Sequence, residues 1–240
     1  MEHLALHISN GILNTPVWVG FMAVAAIALV ICVQRGRRDL DDRLAPMAGL
    51  VAAFIFAVQM LNFPVLPGVS GHLLGGTLAA LLVGPWLGAV CVSIVLIVQA
   101  LVFADGGVTA LGLNITNMAL LGTAAGYLLI AALLRILPRT LTGLAVTSFV
   151  ASVVSVVVAA LGFVVQYALG GTTDVSLGGV AAAMVGVHLA IGVGEGLITA
   201  ATVVTVARVR PDLVYALRRA PLAPAGQPGS ITSVSAGGAA

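Results

Sequence analysis

The sequence predicts an all-α, polytopic membrane protein. Three observations predict it. Hydrophobic residues make up 60% of the 240-residue chain and charged residues only 8%. Soluble domains carry about 25% charged residues, so this chain has too little charge to cover a water-facing surface. Apolar runs near the ~20 residues that a helical span requires recur along its length. Strand-type alternation, the signature of a membrane β-barrel, is absent.

Taken in order, the chain reads as about seven helical segments: Pro16–Val33, Pro46–Leu61, Leu73–Val83, Leu87–Phe103, Ile115–Leu134, Leu144–Leu169 and Val180–Ala207. The first is preceded by a polar leader, residues 1–15, without the basic stretch or small-x-small site of a cleaved signal peptide, so it is expected to be retained. The third is too short to cross ~30 Å of hydrocarbon, so protein must shield it or the bilayer must thin there. The third and fourth form a tight pair broken at Gly84-Pro85-Trp86. Residues 16–207 are read as the transmembrane domain, and residues 208–240 as a cytoplasmic tail whose low-complexity end is expected to be disordered.

Orientation follows from the arginines. All ten basic residues are arginine, and they follow the first, fifth and seventh segments. With seven crossings they share one side, which the positive-inside rule makes cytoplasmic. The N-terminus is then outside and the C-terminus inside. The outer face would gather the leader 1–15 and the loops 62–76, 104–114 and 170–179, with Glu2, Asp105 and Asp174 as its acids. The net charge of +2 carries no signal for nucleic acid. Cys32 and Cys91 lie in apolar runs and read as small core or lipid-facing residues.

Histidine is scarce, with four residues. His3, His7 and His72 fall on the outer face, and imidazole is a good ligand for Ni, Co, Cu and Zn. A helix-terminal histidine bonded to backbone is the plainer reading of His72. His188 and Glu195 form an intramembrane polar pair on the last segment, seven residues apart and near one face. Ionisable groups at that depth face the protein interior. They read either as an ion pathway or as a structural cluster, with glycines 186, 192, 194 and 196 admitting a neighbouring helix. Asn114 and Asn117 begin the fifth segment, where Asn114 is either a helix N-cap or a group that holds a ligand site. Asp105 reads as a turn residue. No nucleotide-binding loop, HExxH or GxSxG is present.

HISNGIL followed by PVW, SGHLLGGTLAALLVGPW, VQALVFADGGVTALGLNITNMALLG and GVHLAIGVGEGLITA occur in that order over residues 6–207. Together they resemble the CbiM/NikM family, the cobalt/nickel substrate-binding subunits of energy-coupling factor transporters. The resemblance implies a non-enzymatic subunit in the inner membrane of a bacterium. It would capture Co(II) or Ni(II) as transported substrate at the outer face and hold no permanent cofactor. A transmembrane scaffold subunit, cytoplasmic ATPase subunits and a small accessory membrane protein would be its partners in the bilayer. The resemblance also implies a metal set. It consists of a free N-terminal amine, the next residue's backbone nitrogen and imidazole, matched by His7, and a loop imidazole, matched by His72. Such a planar nitrogen set suits Ni(II). An α-amine with a pKa near ~8 can lose its proton to a metal. Asn62, Ser70, Asn114 and Asn117 are candidates for fixing the imidazoles.

The chain departs from the pattern at one point. The amine would have to belong to position 6, which is Leu6 and not the first residue. Either translation starts there, at a leucine codon read as methionine, or Met1-Glu2-His3 forms a terminal site of its own that leaves His72 without a role. Three other functions remain open on the residues alone: a proton-coupled secondary transporter using His188 and Glu195, a vitamin-binding subunit of the same importer class, and a membrane-embedded metal enzyme.

Overall fold

The computed structural model describes residues 8–218. Helix α1 (Thr15–Gly36) starts where the Asn14 side chain accepts from the Val17 N–H at 3.2 Å, with Pro16 in its first turn, where a missing N–H costs nothing. Helix α2 (Leu44–Gln59) follows a turn held by Asp41, which accepts from the N–H groups of Leu44 at 2.6 Å and Arg43 at 2.9 Å. A two-stranded antiparallel hairpin comes next, β1 (Asn62–Leu66) and β2 (Val69–His72), in a register that puts Asn62 opposite His72 and Phe63 opposite Gly71.

Helix α3 (Gly76–Val83) and helix α4 (Pro85–Val102) meet at Gly84. Helix α5 (Leu111–Asn114) runs without a break through a π-helical stretch, Ile115–Gly122, into α6 (Thr123–Ile136). The long antiparallel pair α7 (Leu141–Gly170) and α8 (Leu177–Val209) completes the bundle, each capped at its N-terminus by a hydroxyl, Thr140 and Ser176. Two 3₁₀ turns, Pro211–Leu213 and Tyr215–Leu217, close the described chain.

Among the described residues five helical segments are long and apolar enough to cross a membrane, and α2 is a shorter apolar helix. Helix α3 is different. All eight of its residues are buried, and at about 1.5 Å per residue it is only ~12 Å long. It sits at the centre of the bundle, packed by α2, α4, α6, α7 and α8. Of the two solutions open to a short central segment, this chain uses shielding by protein. Small residues make the shielding close: Gly88 lies against Ala79, and Gly76 against Thr123.

The turn ahead of α3 is buried as well, so its backbone donors need protein partners. The Glu195 carboxylate on α8 accepts from the N–H of Leu74 at 2.5 Å and of Gly75 at 3.1 Å, just ahead of the first turn. The Gln59 side chain donates to the Leu74 carbonyl at 2.8 Å. A negative group at a helix N-terminus is also favoured by the helix dipole.

Several expectations are corrected. The chain is predominantly helical, not all-α, because residues 62–72 form a hairpin. The third segment starts at Gly76, not Leu73, so His72 ends a strand and does not open a helix. The fifth starts at Leu111, so Asn114 lies inside the helix and is not its N-cap. Of the four glycines expected to admit a helix, Gly192 and Gly196 lie against Val153 and Phe149 of α7, whereas Gly186 and Gly194 meet nothing within 4 Å. Asp105 lies in a turn with φ of +53° at Ala104 and +86° at Gly106, and is buried. Residues 208–218 form the end of α8 and the two 3₁₀ turns, held down by buried Val214 and Leu217. The stretch expected to be disordered, from Pro221 onward, lies outside the described residues.

Two outcomes follow from this fold. Glu195→Ala leaves two buried donors unpaired, at about 1–3 kcal/mol each. Thermal unfolding in detergent should show a corresponding loss, with a smaller loss in Glu195→Gln, which keeps one acceptor oxygen. Wild-type stability in both variants would remove the capping role. The second outcome concerns acid. The Leu44 N–H bonded to Asp41 holds its carboxyl below the ordinary value of 3.8. Its contribution is therefore present above that value and lost as pH falls through the lowered one. Asp41→Asn keeps an acceptor oxygen without the charge, so it should flatten the acid limb of a plot of melting temperature against pH.

Candidate functional site

The first described residues are tied to three loops by main-chain bonds. The Ser9 N–H donates to the Gly68 carbonyl in the hairpin turn at 3.1 Å, and the Gly107 N–H donates to the Ile8 carbonyl at 3.0 Å. The Asn10 side chain accepts from the Thr109 N–H and hydroxyl, at 3.1 and 2.6 Å. On the other side the Thr172 hydroxyl donates to the Gly11 carbonyl at 2.6 Å, and the Asn14 N–H to the Gly170 carbonyl at 2.8 Å. Residues 8–14 thus lie across the hairpin, the α4–α5 loop and the α7–α8 loop.

Beneath them is a small cavity of about 40 Å³. Ile8 lines it from above, Ser70, Gly71 and His72 from the hairpin, and Asn114 and Asn117 from the fifth helical segment. Met184 and His188 of α8 complete its wall. The volume admits an ion or a few waters. His72 is buried, and its Nδ1 lies 2.8 Å from the Leu73 carbonyl. A carbonyl oxygen only accepts, so Nδ1 carries a proton, and in the neutral ring the lone pair is then on Nε2. That is the tautomer of a metal-binding imidazole whose second nitrogen is anchored to backbone.

His188 is set in the same way, with Nδ1 2.8 Å from the Met184 carbonyl one turn earlier. Its ring lies against the hairpin at Gly71. A Cβ there would stand 3.1 Å from both Cε1 and Nε2 of His188 and 2.7 Å from Cδ1 of Ile191. A side chain at position 71 would first displace the end of Ile191, and one that is branched and bulky would also press on the His188 ring or the strand that carries His72.

Asn117 exchanges two hydrogen bonds with Gln166 of α7, at 2.8 and 2.9 Å. The reciprocal pair uses one of the two N–H donors of each amide and ties the π-helical stretch to α7. π-helical turns widen the spacing of side chains and recur at functional sites.

Of the residues singled out in the sequence, His72, Ser70, Asn114, Asn117 and His188 line one cavity. Asn62 stands across the hairpin from His72, but its amide donates to the carbonyls of Gln59 and Met60, closing the end of α2. Glu195 is held at the start of α3. His188 and Glu195 therefore have separate partners on the interior face of α8. Leu6, His3 and His7 lie outside the described residues. Among the described residues no three His, Cys, Asp or Glu side chains come together as a metal cluster. Sequence reasoning missed Gln166 and Gly71. A lone glutamine in an apolar span was the available signal for the first. Nothing in the sequence marked the second, because its role depends on the contact with α8.

A family model described as the cobalt uptake substrate-specific transmembrane region, CbiM, matches residues 7–213. A cobalt transport protein CbiM of Sorangium cellulosum is 32% identical, with 91% of this chain and 99% of that protein covered. A fused nickel transport protein NikMN of Rhodobacter capsulatus is 34% identical over 91% of this chain, which spans 66% of that longer protein. The crystal structure of a truncated transition metal transporter, 28% identical, matches 84% of this chain and 98% of its own with a TM-score of 0.74. The chain belongs to the CbiM family, the substrate-specific transmembrane component of cobalt and nickel uptake.

Proposed function

We propose that this chain captures Co(II) or Ni(II) at the outer face of the membrane for an ATP-driven energy-coupling factor importer, with the imidazoles of His7 and His72 as metal donors. One observation carries the reading: Ile8, joined by a peptide bond to His7, lines a cavity that His72 also lines. Consecutive Cα atoms are about 3.8 Å apart, so the segment that carries His7 starts at the cavity wall. Nitrogen ligands suit both metals. In a chain started at Leu6, the initiator amine and the amide nitrogen of His7 add two more nitrogens. Ser70, Asn114 and Asn117 are then the polar groups around the metal.

The size of the cavity favours an ion over a vitamin. About 40 Å³ is far below the ~300–1,000 Å³ of small-molecule sites. Glu195, fixed by two backbone donors, is poorly suited to a proton relay, which disfavours the secondary transporter. Energy then comes from partners: a transmembrane scaffold subunit and cytoplasmic ATPase subunits, with a small accessory membrane protein. The side assignment rests on charge. Arg43 lies 3.7 Å from Asp212, and Arg218 lies 3.8 Å from Asp41, so the α1–α2 turn and the segment after α8 share one arginine-rich end. By the positive-inside rule we assign that end to the cytoplasm of a bacterium and the His72 cavity to the outside.

The test is metal retention by the full chain with its natural N-terminus, offered equimolar Co(II), Ni(II) and Zn(II). One equivalent of Co or Ni, lost in His72→Ala, is expected. Retention unchanged by that substitution removes His72 from the site. Gly71→Val should lower affinity by about 10–100-fold, the range for groups that orient a ligand, because its side chain displaces His188 or the strand. Isothermal titration of the two variants side by side reads both effects.

A further inference from the structure

A second concave site lies at the arginine-rich end, where nothing in the cargo reading uses it. It is a groove of about 580 Å³ between the C-terminal half of α1, the first turns of α4, and α6. Its floor and walls are apolar, with Ala28 and Ile31 from α1, Ala89 from α4 and Leu128 from α6. Three aromatic residues frame it: Trp86, Tyr127 and Tyr215.

Two of these rings carry a cation. The Arg35 guanidinium carbon lies 5.3 Å from the Trp86 ring centroid, and that of Arg218 lies 5.8 Å from the Tyr215 ring. Both distances are within the range of a cation–π contact, which holds the guanidinium over the ring and leaves the N–H edge of Arg35 available. Arg218 is also 3.8 Å from Asp41. Arg35 makes no ion pair among the described residues. In the turn from Arg35 to Arg43 and the segment from Arg208 to Arg218, seven arginines stand against four aspartates, so the local charge is positive.

The backbone is adapted to this wall. Gly84 has φ of +89°, in the left-handed region that side chains disfavour. A Cβ there would stand 2.9 Å from Cε2 and Cζ of Tyr215. Only glycine lets the Tyr215 ring close the groove at the α3–α4 junction.

An apolar trough that ends under two ring-stacked guanidinium groups matches one kind of molecule in its surroundings. We propose that the groove binds an anionic phospholipid, with an acyl chain along α1 and α6 and its phosphate at Arg35 and Arg218. Arginine suits phosphate oxygens through its forked donors, and basic pockets between helices on the cytoplasmic side take acidic head groups. The site rests on the membrane reading alone and is independent of the metal carried.

The test is lipid retention by the full chain. Protein loaded with equimolar phosphatidylglycerol and phosphatidylcholine is stripped by mild detergent and weighed by native mass spectrometry. One phosphatidylglycerol per chain, retained over phosphatidylcholine and released by raised salt, is expected. Arg35→Gln should weaken retention about five-fold, the effect of one basic residue near an anionic surface. The double change with Arg218→Gln should weaken it further. Both positions are exposed, and the salt dependence of the unaltered chain tests the charge term without any variant. Equal retention of the two lipids overturns the proposal, as does retention unchanged in the double variant. Cross-linking from Cys32, which lines the groove, to a partner-subunit helix in the assembled importer would also overturn it.

Discussion

The turn that leads into the short buried helix α3 needs its backbone donors met from elsewhere in the fold, and Glu195 does this. Its two oxygens take the N–H groups of Leu74 and Gly75, in a place where water cannot reach and an unmet donor costs several kcal/mol. The bond joins α8 to a position only two residues beyond His72. Two turns earlier on the same helix, His188 stands against Gly71. One face of α8 therefore fixes the start of α3 and the back of the hairpin together. His72 is placed by that pair of contacts more than by the hairpin itself, which has only two short strands.

The upper wall of the cavity is built differently. It is a chain segment laid across loops and held by main-chain bonds from Ile8, Ser9 and Asn14, with Asn10 and Thr172 adding side-chain bonds. Loops joined only to their own helices would move independently. Here each loop is joined to the same seven residues, so the hairpin, the α4–α5 loop and the α7–α8 loop form one lid.

Much of this was legible in the sequence, for physical reasons. Spans announce themselves because lipid demands unbroken apolar runs, and the third segment announced its own shielding by being too short. The leader and the loops 62–76, 104–114 and 170–179 were grouped together from the order of the apolar runs, and the structure joins residues 8–14 to all three loops. The hairpin was not legible. Pro64, Pro67, Gly68 and Gly71 are loop signals by composition, and the strands they interrupt are shorter than any pattern can reveal. The π-helical stretch was hidden because adding one residue to a turn hardly alters an apolar run. The Asn117–Gln166 pair joins positions 49 apart, and two lone amides in separate spans give no hint that they meet. His188 and Glu195 were visible as polar residues at depth. Their separate tasks were not, since both partners lie on other elements or one turn away.

The two ends of the bundle differ in a way that the fold makes necessary. At the His72 end the chain withdraws polar groups from the membrane surface into a cavity of ion size, roofed by backbone. At the other end it does the reverse, with arginines and aromatic rings turned outward around a groove more than ten times larger. Between them lies α3, buried along its whole length and anchored by a carboxylate with both oxygens engaged. Each of its oxygens is committed to the backbone ahead of α3, so the carboxylate acts there as a tie between α8 and the entry to the short helix, and the difference between the two ends is built on that fixed centre.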